Sequence, residues 1–338
     1  MKIFYINVIE QNNGWGAECF VNKGFINNGV ESIVLDYRNN KNKLLEKFIE
    51  INNNFDALLL QRGDFFPIKL LKSTNRPKFF WASELVSRNW DQNRLLRSGL
   101  FSHVFVRTDE CKKTILEKKW LRPEQVSILI SGFDENVHKK LENVKKDIDI
   151  VFVGNVTKRR REYLDILEKK FNIKECQVFG DKMVKVFNRS KIVLNIHAEK
   201  FLDTETRIFE AIGCGSFVIS EKLSMENPFK NGEHFIEVDG IEEMISKIEY
   251  FLNNQSEREL IAEQGHSYGL AGHTYKIRAK YIENVINSYV EKLSGTNTPP
   301  LDLKKLKFFY FEQKLLGVYF NIYGFVWIFF RKIKNWFL

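Results

Sequence analysis

The sequence has few cysteines, four in 338 residues, and they lie far apart with no C-x-x-C spacing. This argues against a disulfide framework or a zinc site and favours a reducing compartment. The apolar N-terminal run is interrupted by Glu10, which is too early for a secretory signal, so the run is interpreted as a first β-strand. With 44% hydrophobic and 28% charged residues, the composition excludes global disorder and a multi-span membrane protein.

The net charge of +9 is unevenly distributed along the chain. Residues 301–338 hold seven Lys or Arg against two acids, a net +5, which leaves +4 for the first 300 residues. The same 38 residues hold 13 of the 47 aromatic side chains. Because most of the chain is nearly balanced, overall charge gives little support to a nucleic-acid-binding function.

Short apolar runs alternate with helical patterns in two consecutive series, each of about 140 residues. This rhythm is typical of parallel sheets covered by helices. We therefore predict an α/β fold with two doubly wound, Rossmann-like domains facing a cleft. The predicted boundaries are an N-terminal domain at 1–143, a C-terminal domain at 144–293, a linker at 294–300 and a tail at 301–338.

Loops that follow strands are the candidate ligand sites, because open α/β sheets bind ligands beyond the carboxyl ends of their strands. Helix N-termini in such loops favour phosphates. Four loops qualify, around Gly14 and Gly16, at Gly154-Asn155, at Gly180 and before Thr206. The Gly14–Gly16 loop lacks G-x-G-x-x-G spacing, and a tight turn without a ligand is the alternative.

Two groups of charged residues accompany these loops. Residues 158–161 are all basic at a predicted helix start, where they oppose the helix dipole. An anionic ligand explains this placement, and a solvated basic face is the alternative. Arg207 and Glu210 share one face of a short predicted helix, where they can bind a diphosphate and ribose hydroxyls. The alternative for this pair is an intrahelical ion pair.

The segment 203–221 resembles the donor-binding segment of group 1 GT-B glycosyltransferases, closest to the spore-maturation branch. Three further stretches agree in order and spacing: 152–155 with Arg159–Arg161, 190–195 and 273–278. The resemblance covers residues 148–285 well and the N-terminal half weakly. It implies transfer of a sugar from a nucleotide-diphosphate donor to an acceptor bound between the two domains.

The resemblance also implies roles for individual residues. Glu210 would bind the donor ribose and Gly16 would approach the donor phosphate or sugar from the other domain. The remaining candidates belong to the diphosphate side of the donor site: Gly154, Asn155, Arg159 and Arg207. Many relatives have a second Glu eight positions before the ribose-binding one, where this chain has Leu202; Asp203 and Glu205 are near but out of register.

Candidate catalytic residues are Glu84, Asp64 and His197, each of which follows a predicted strand. Glu84 and Asp64 have an alternative as helix caps or surface carboxylates. A retaining reaction, which is common in this family, needs no dedicated base, because the leaving diphosphate can activate the acceptor. We expect no metal and no cofactor besides the nucleotide sugar. A non-catalytic nucleotide- or sugar-binding scaffold is the alternative function, supported mainly by Leu202.

The tail is interpreted as a membrane-associating element. Residues 315–330 are almost entirely apolar, but as a helix they would span about 24 Å, less than the ~30 Å hydrocarbon core of a bilayer. Basic and aromatic side chains flank them, notably Lys304, Lys305, Trp327, Arg331, Lys332 and Trp336. We predict a cytoplasmic protein, peripheral on the inner face of the cell membrane, that acts on a glycan or lipid-linked acceptor. The alternative is a helix packed back on the domains.

Overall fold

The computed structural model describes residues 1–12, 14–87, 90–199 and 202–291, together with Ile322. These residues form two parallel β-sheets, each covered on both faces by helices. The predicted α/β architecture of two doubly wound halves is confirmed.

The first sheet has six strands in the order β2-β1-β3-β4-β5-β6, and every neighbouring pair is parallel. Its strands are β1 (Lys2–Asn7), β2 (Glu31–Asp36), β3 (Ala57–Gln61), β4 (Lys78–Trp81), β5 (His103–Val106) and β6 (Val126–Ile128). The central strands are buried along their whole length, which is why they are continuous apolar runs and not alternating ones. Its helices are α1 (Ala17–Asn27), α2 (Leu44–Ile51), α3 (Ile68–Lys72), α4 (Trp90–Leu96) and α5 (Asp109–Glu117).

The second sheet has five parallel strands in the order β8-β7-β9-β10-β11. They are β7 (Ile148–Val153), β8 (Ile173–Cys176), β9 (Ser190–Asn195), β10 (Val218–Glu221) and β11 (Ile236–Val238). The helices of this half are α6 (Lys158–Leu167), α7 (Gly180–Arg189), α8 (Thr206–Gly213), α9 (Ile241–Asn253), α10 (Gln255–Gly272) and α11 (Tyr275–Val290). The strand order places β7 and β9 at the centre, so the loops after them open at the middle of the sheet.

Helix α11 returns to the first sheet and packs against α1. Ala279, Ile282 and Ile286 are buried in the same core as the strand residue Tyr5. The approach is close, because a Cβ at Gly24 of α1 would lie 2.8 Å from the Cβ of Ala279. The last described helix therefore ties the two halves together, although its sequence lies within the predicted C-terminal domain.

Two turns before helices of the second half have their own local structure. The edge strand β8 ends at Cys176, and the chain turns from there through 177–179 into α7. Helix α9 begins without a side-chain cap. The N-cap is Gly240 at φ 92°, a left-handed conformation that suits glycine, and the Asp239 N–H donates to Glu243 Oε2 at 2.7 Å.

The predicted linker and the predicted membrane-associating tail lie outside the described residues, apart from Ile322. The predictions for Lys304, Lys305, Trp327, Arg331, Lys332 and Trp336 lie outside them as well. Within the described ranges, none of the helices combines the length and the apolar character that a bilayer crossing requires.

Candidate functional site

A cavity of 640 Å³ lies in the cleft between the two halves. Residues from the first half line one side, and the segments that begin α7 and α8 line the other. The lining residues are Trp15, Gly16, Arg107, Phe179, Gly180, Met183, Asp203, Glu205, Thr206, Arg207 and Glu210. Three predicted donor-site residues, Gly16, Arg207 and Glu210, are thus brought together from distant parts of the chain.

Three helices begin at this cavity without a side-chain cap. Their N-cap residues are Gly16 for α1, Phe179 for α7 and Glu205 for α8, and none of these side chains accepts a hydrogen bond from its own helix. Thr108, Thr157 and Thr274 cap α5, α6 and α11, whereas α2, α3, α9 and α10 also begin without a side-chain cap. Uncapped N-termini present free N–H groups and the positive end of the helix dipole. The cavity is therefore suited to an anion.

Glu210 lies one turn into α8, with its carboxylate at the cavity wall and 15% of the side chain exposed. Burial raises the pKa of Glu210, and the positive charge of Arg207 partly offsets that rise. Arg207 Nη1 donates to Glu210 Oε2 at 2.8 Å, so the intrahelical pair forms in the absence of a ligand. The Arg207 guanidinium also lies over the Phe179 ring, 5.8 Å from its centroid.

Trp15 and Gly180 meet across the cleft. Gly180 has φ +66° and a Cβ at this position would lie 2.9 Å from the Trp15 indole. Glycine is needed here for its backbone conformation and for the space that the indole occupies. The first residue of α7 and the loop before α1 are thereby held in contact.

A second link crosses the cleft between Arg107, just after β5, and Asp203, before α8. Arg107 Nη2 lies 2.8 Å from Asp203 Oδ1 and 3.0 Å from Oδ2. Both side chains line the cavity, whereas Leu202 lines a different groove and is 47% exposed. Besides Glu210, the carboxylates that line the cavity are therefore Asp203 and Glu205, while the side chain at the position that the resemblance singled out, Leu202, lies outside it.

His138 was not predicted from the sequence, yet its ring lies behind the cavity wall. It is fully buried, and its Nε2 lies 3.8 Å from Glu210 Oε1. Burial lowers the pKa of His138 to about 4, so the ring is neutral near neutral pH. Its position depends on a contact between residues far apart in sequence, which no local pattern could indicate.

Arg159, Gly154 and Asn155 do not line the cavity, and their part in the donor site stays a prediction. Arg159 pairs with Glu221 through both terminal guanidinium nitrogens and also donates to the His197 carbonyl at 2.8 Å. The Asn155 carbonyl accepts from Arg160, and a Cβ at Gly154 would meet only ordinary contacts. The three arginines at the start of α6 all have intramolecular partners, so these contacts account for them without an anionic ligand.

Arg160 has a supporting role instead. It is 8% exposed and binds both Glu205 oxygens, at 3.0 and 2.9 Å, as well as the Ile196 carbonyl at 2.7 Å. Burial opposes ionisation of Glu205, but His197 and Arg160 outweigh it and lower the pKa of that carboxyl. Arg160 therefore anchors the residue that starts α8, and with it the position of Arg207 and Glu210.

The structure does not bring the three predicted catalytic residues to the cavity. The Glu84 side chain is exposed, and its backbone hydrogen-bonds with Gln92. Asp64 accepts from the Tyr37 hydroxyl at 3.1 Å and pairs with Arg38. His197 is 4% exposed and its Nε2 lies 2.8 Å from the Lys222 carbonyl. These are the contacts that the structure gives the three side chains, and their catalytic role stays a prediction.

A groove of 830 Å³ adjoins the cavity on the far side of the Arg107–Asp203 pair. It is lined by the chain neighbours of that pair, Thr108 and Leu202, and by α5. Its other lining residues are Asp109, Glu110, Lys113, Thr114, Glu117, Ile128, Ser224, Met225 and Glu226. Four carboxylates against one ammonium make this groove acidic.

Among the described residues, no group of three or more His, Cys, Asp or Glu side chains is placed to hold a metal ion. Asp147 and Asp149 form an Asp-x-Asp sequence around Ile148, the first residue of β7. Both carboxylates are in ion pairs, Asp147 with Arg189 and Asp149 with Lys191.

Residues 134–284 match the family model described as glycosyl transferase-like. Sucrose-phosphate synthase from Thermosynechococcus elongatus is similar in structure, with TM-score 0.63 and 11% identity over 86% of this chain and 100% of that one. HepE of Anabaena, solved with UDP-glucose, has TM-score 0.57 and 14% identity over 85% and 100%. An α-glucosyltransferase solved with UDP has TM-score 0.61 and 14% identity over 85% and 99%. No curated protein sequence matches significantly. The fold is that of the GT-B glycosyltransferases.

Proposed function

We propose that the chain, an enzyme of the glycosyltransferase class, transfers a sugar from a nucleotide-diphosphate donor bound in the 640 Å³ cavity. One observation carries the proposal: Arg207 and Glu210 lie on one face of a helix whose uncapped N-terminus opens into that cavity. An uncapped helix start with an arginine binds a diphosphate, and a carboxylate one turn away accepts hydrogen bonds from vicinal hydroxyls.

The order of residues along α8 matches the order of groups in such a donor. Glu210 lies ~6 Å along the helix from Thr206, at ~1.5 Å per residue. The ribose is assigned to Glu210 and the diphosphate to the N–H groups at Thr206 and to Arg207. Two similar structures, HepE with UDP-glucose and an α-glucosyltransferase with UDP, support a uridine nucleotide as the first donor to test.

The donor sugar then lies beyond the helix start, toward Asp203. This carboxylate takes over the hydroxyl-binding role that the family resemblance assigned to the position of Leu202. Arg107 holds Asp203 in place from the opposite half of the molecule. Gly16, on the same side as Arg107, allows the backbone to approach the sugar or the phosphate next to it.

We propose a retaining, metal-independent reaction with no resident cofactor. The bond between the sugar C1 and the diphosphate oxygen breaks, and its electron pair goes to the phosphate. The acceptor oxygen bonds to C1 on the same face, and its proton passes to the leaving phosphate. Arg207 and the helix N-termini stabilise the negative charge that develops on the diphosphate.

The acceptor is assigned to the acidic groove of 830 Å³, which meets the donor cavity at the Arg107–Asp203 pair. Carboxylates accept hydrogen bonds from sugar hydroxyls but repel phosphate. Among glycan and lipid-linked acceptors, this favours one whose neutral sugar end occupies the groove. A role in cell-envelope polysaccharide synthesis, in the spore-maturation branch, follows as the proposed context.

Membrane attachment through residues 301–338 is proposed from their composition alone, because they combine net +5 charge with 13 aromatic side chains. It would place a cytoplasmic enzyme at the inner face of the membrane. Flotation with vesicles containing anionic lipid tests it. The full chain is expected to float and a chain ending at residue 293 to remain in the soluble fraction; flotation of the truncated chain contradicts the proposal.

Turnover is tested by incubating the protein with nucleotide sugars and following release of the nucleoside diphosphate, with and without glycan acceptors. We expect release from at least one donor, which would also exclude a non-catalytic scaffold. Glu210→Ala should abolish release, and Glu84→Ala, an exposed carboxylate away from both cavities, should not change it. Release that survives Glu210→Ala contradicts the assigned donor site.

A further inference from the structure

His138 has one ring nitrogen whose partner is missing. The side chain is fully buried, and Nε2 has no hydrogen-bond partner within the described structure. A buried polar group that has lost its water and gained no partner destabilises the folded state. Because buried polar groups in native proteins are nearly always paired, we looked for a group that binds Nε2 when a ligand is present.

The backbone around His138 determines which nitrogen carries the proton. The Asp134 N–H donates to Nδ1 at 3.2 Å, so Nδ1 is an acceptor. In a neutral imidazole the proton is then on Nε2. The loop is fixed, because the Asp134 carboxylate accepts from the N–H groups of Asn136 and Val137. The ring therefore presents a preset Nε2–H donor.

The Nε2–H group of His138 faces the carboxylate of Glu210 at the cavity wall. Nε2 lies 3.8 Å from Glu210 Oε1, about 1 Å beyond hydrogen-bond distance. Arg207 binds the other oxygen, Oε2. The rings of Trp15 and Phe20 contact the His138 ring edge to face, at centroid distances of 6.1 and 5.3 Å, and hold its direction.

Ligand binding changes the partners of Glu210. A diphosphate at the start of α8 competes for Arg207, which then leaves Glu210 Oε2. The carboxylate is already disfavoured by burial, and without Arg207 it would lose the positive charge that opposes protonation. A protonated Glu210 could not accept two ribose hydroxyls on both oxygens. A second hydrogen-bond donor, at the carboxylate oxygen that Arg207 does not bind, would keep Glu210 ionised when Arg207 leaves.

We propose that His138 is a positioning residue that donates its Nε2–H to Glu210 Oε1 when the nucleotide is bound, and so keeps the carboxylate oriented toward the ribose. This inference rests on the proposed donor site. It adds a residue from the loop at 134–138 to the donor-site residues that the family resemblance implies.

Calorimetric titration of the full chain with UDP, 2′,3′-dideoxy-UDP and pyrophosphate tests the proposal. His138→Phe keeps the ring shape and removes the donor; it should weaken UDP binding roughly tenfold, the value of one hydrogen bond to a charged group. The two probes without ribose hydroxyls should be unaffected. His138→Gln restores a donor near Nε2 and should recover most of the affinity. His234→Phe, whose ring stacks on Tyr268 outside the cavity, is the matched control.

A loss of affinity in His138→Phe that is equal for UDP and pyrophosphate would overturn the proposal. A second, independent experiment uses the protein without nucleotide. In ¹⁵N-histidine spectra, His138 should be protonated on Nε2 and its signal should shift in Glu210→Gln. A proton on Nδ1, or an unchanged signal, overturns the contact even if UDP binds. If the wild type binds no UDP while the spectra agree, the donor-site proposal fails and the contact stands.

Discussion

Arg107 and Asp203 join the two halves of the molecule at the point where the two cavities meet, with Nη2 2.8 Å from Oδ1. Arg107 belongs to the first half and Asp203 to the second, so the pair bridges the cleft. Its neighbours in sequence, Thr108 and Leu202, line the acidic groove. We therefore expect this contact to couple closure of the cleft to the geometry of both binding sites.

Arg107→Ala should favour a more open cleft. Because the pair is about four-fifths buried but reaches solvent, its direct contribution to stability is small, about 1 kcal/mol or less. The larger effects expected are an increased radius of gyration in small-angle scattering and at least a tenfold loss of turnover. Lys47→Ala breaks the exposed pair with Glu50 on α2, away from both cavities, and serves as the control. Unchanged scattering together with unchanged turnover would refute the coupling.

Glu210→Gln should stabilise the protein while abolishing nucleotide binding. Burial raises the pKa of Glu210, so the folded state binds a proton more readily than the unfolded state. The associated stability is complete below the ordinary pKa of 4.5 and is lost as pH rises through the folded value. Urea unfolding of the wild type and variant should diverge with rising pH in favour of Glu210→Gln. If the unfolding free energies of the two proteins change in parallel with pH, the Glu210 carboxylate does not destabilise the folded state.

Gly180→Ala should weaken nucleotide binding beyond its effect on stability. The positive φ angle costs an alanine ~1–2 kcal/mol, and the new methyl group would displace Trp15 from the cavity wall. Gly232→Ala is a matched control, with φ +80° and no heavy atom within 4 Å of the added carbon. Both variants should lose similar unfolding free energy, but only Gly180→Ala should lose affinity. Equal affinities in the two variants would exclude Trp15 as part of the site.

Arg160→Ala should destabilise the second half by several kcal/mol, because Glu205 and two carbonyls lose a buried charged partner. Arg161→Ala, at the next position but exposed, should leave thermal unfolding unchanged. Hydrogen exchange should show the loss of protection at the start of α8, where Glu205 is anchored. A variant as stable as the wild type would mean that the loop holds its shape without Arg160.

The sequence predicted the fold and the α8 residues because both depend on local patterns. Strands β4, β5 and β7 are apolar runs with matching ends, and Arg207 and Glu210 share a helix face at three-residue spacing. Contacts across the fold were not accessible in this way. Arg159 was assigned to the ligand because its partner, Glu221, lies 62 residues along the chain. His138 and Arg107 were missed because tertiary packing alone brings them to the cavity.

The central claim is that Glu210 binds a nucleotide ribose in the cleft, and calorimetric titration with UDP tests it most directly. The account predicts saturable binding to the wild type and to Glu84→Ala, no detectable binding to Glu210→Ala, and unchanged circular dichroism for all three. Equal UDP affinity of the wild type and Glu210→Ala would contradict it.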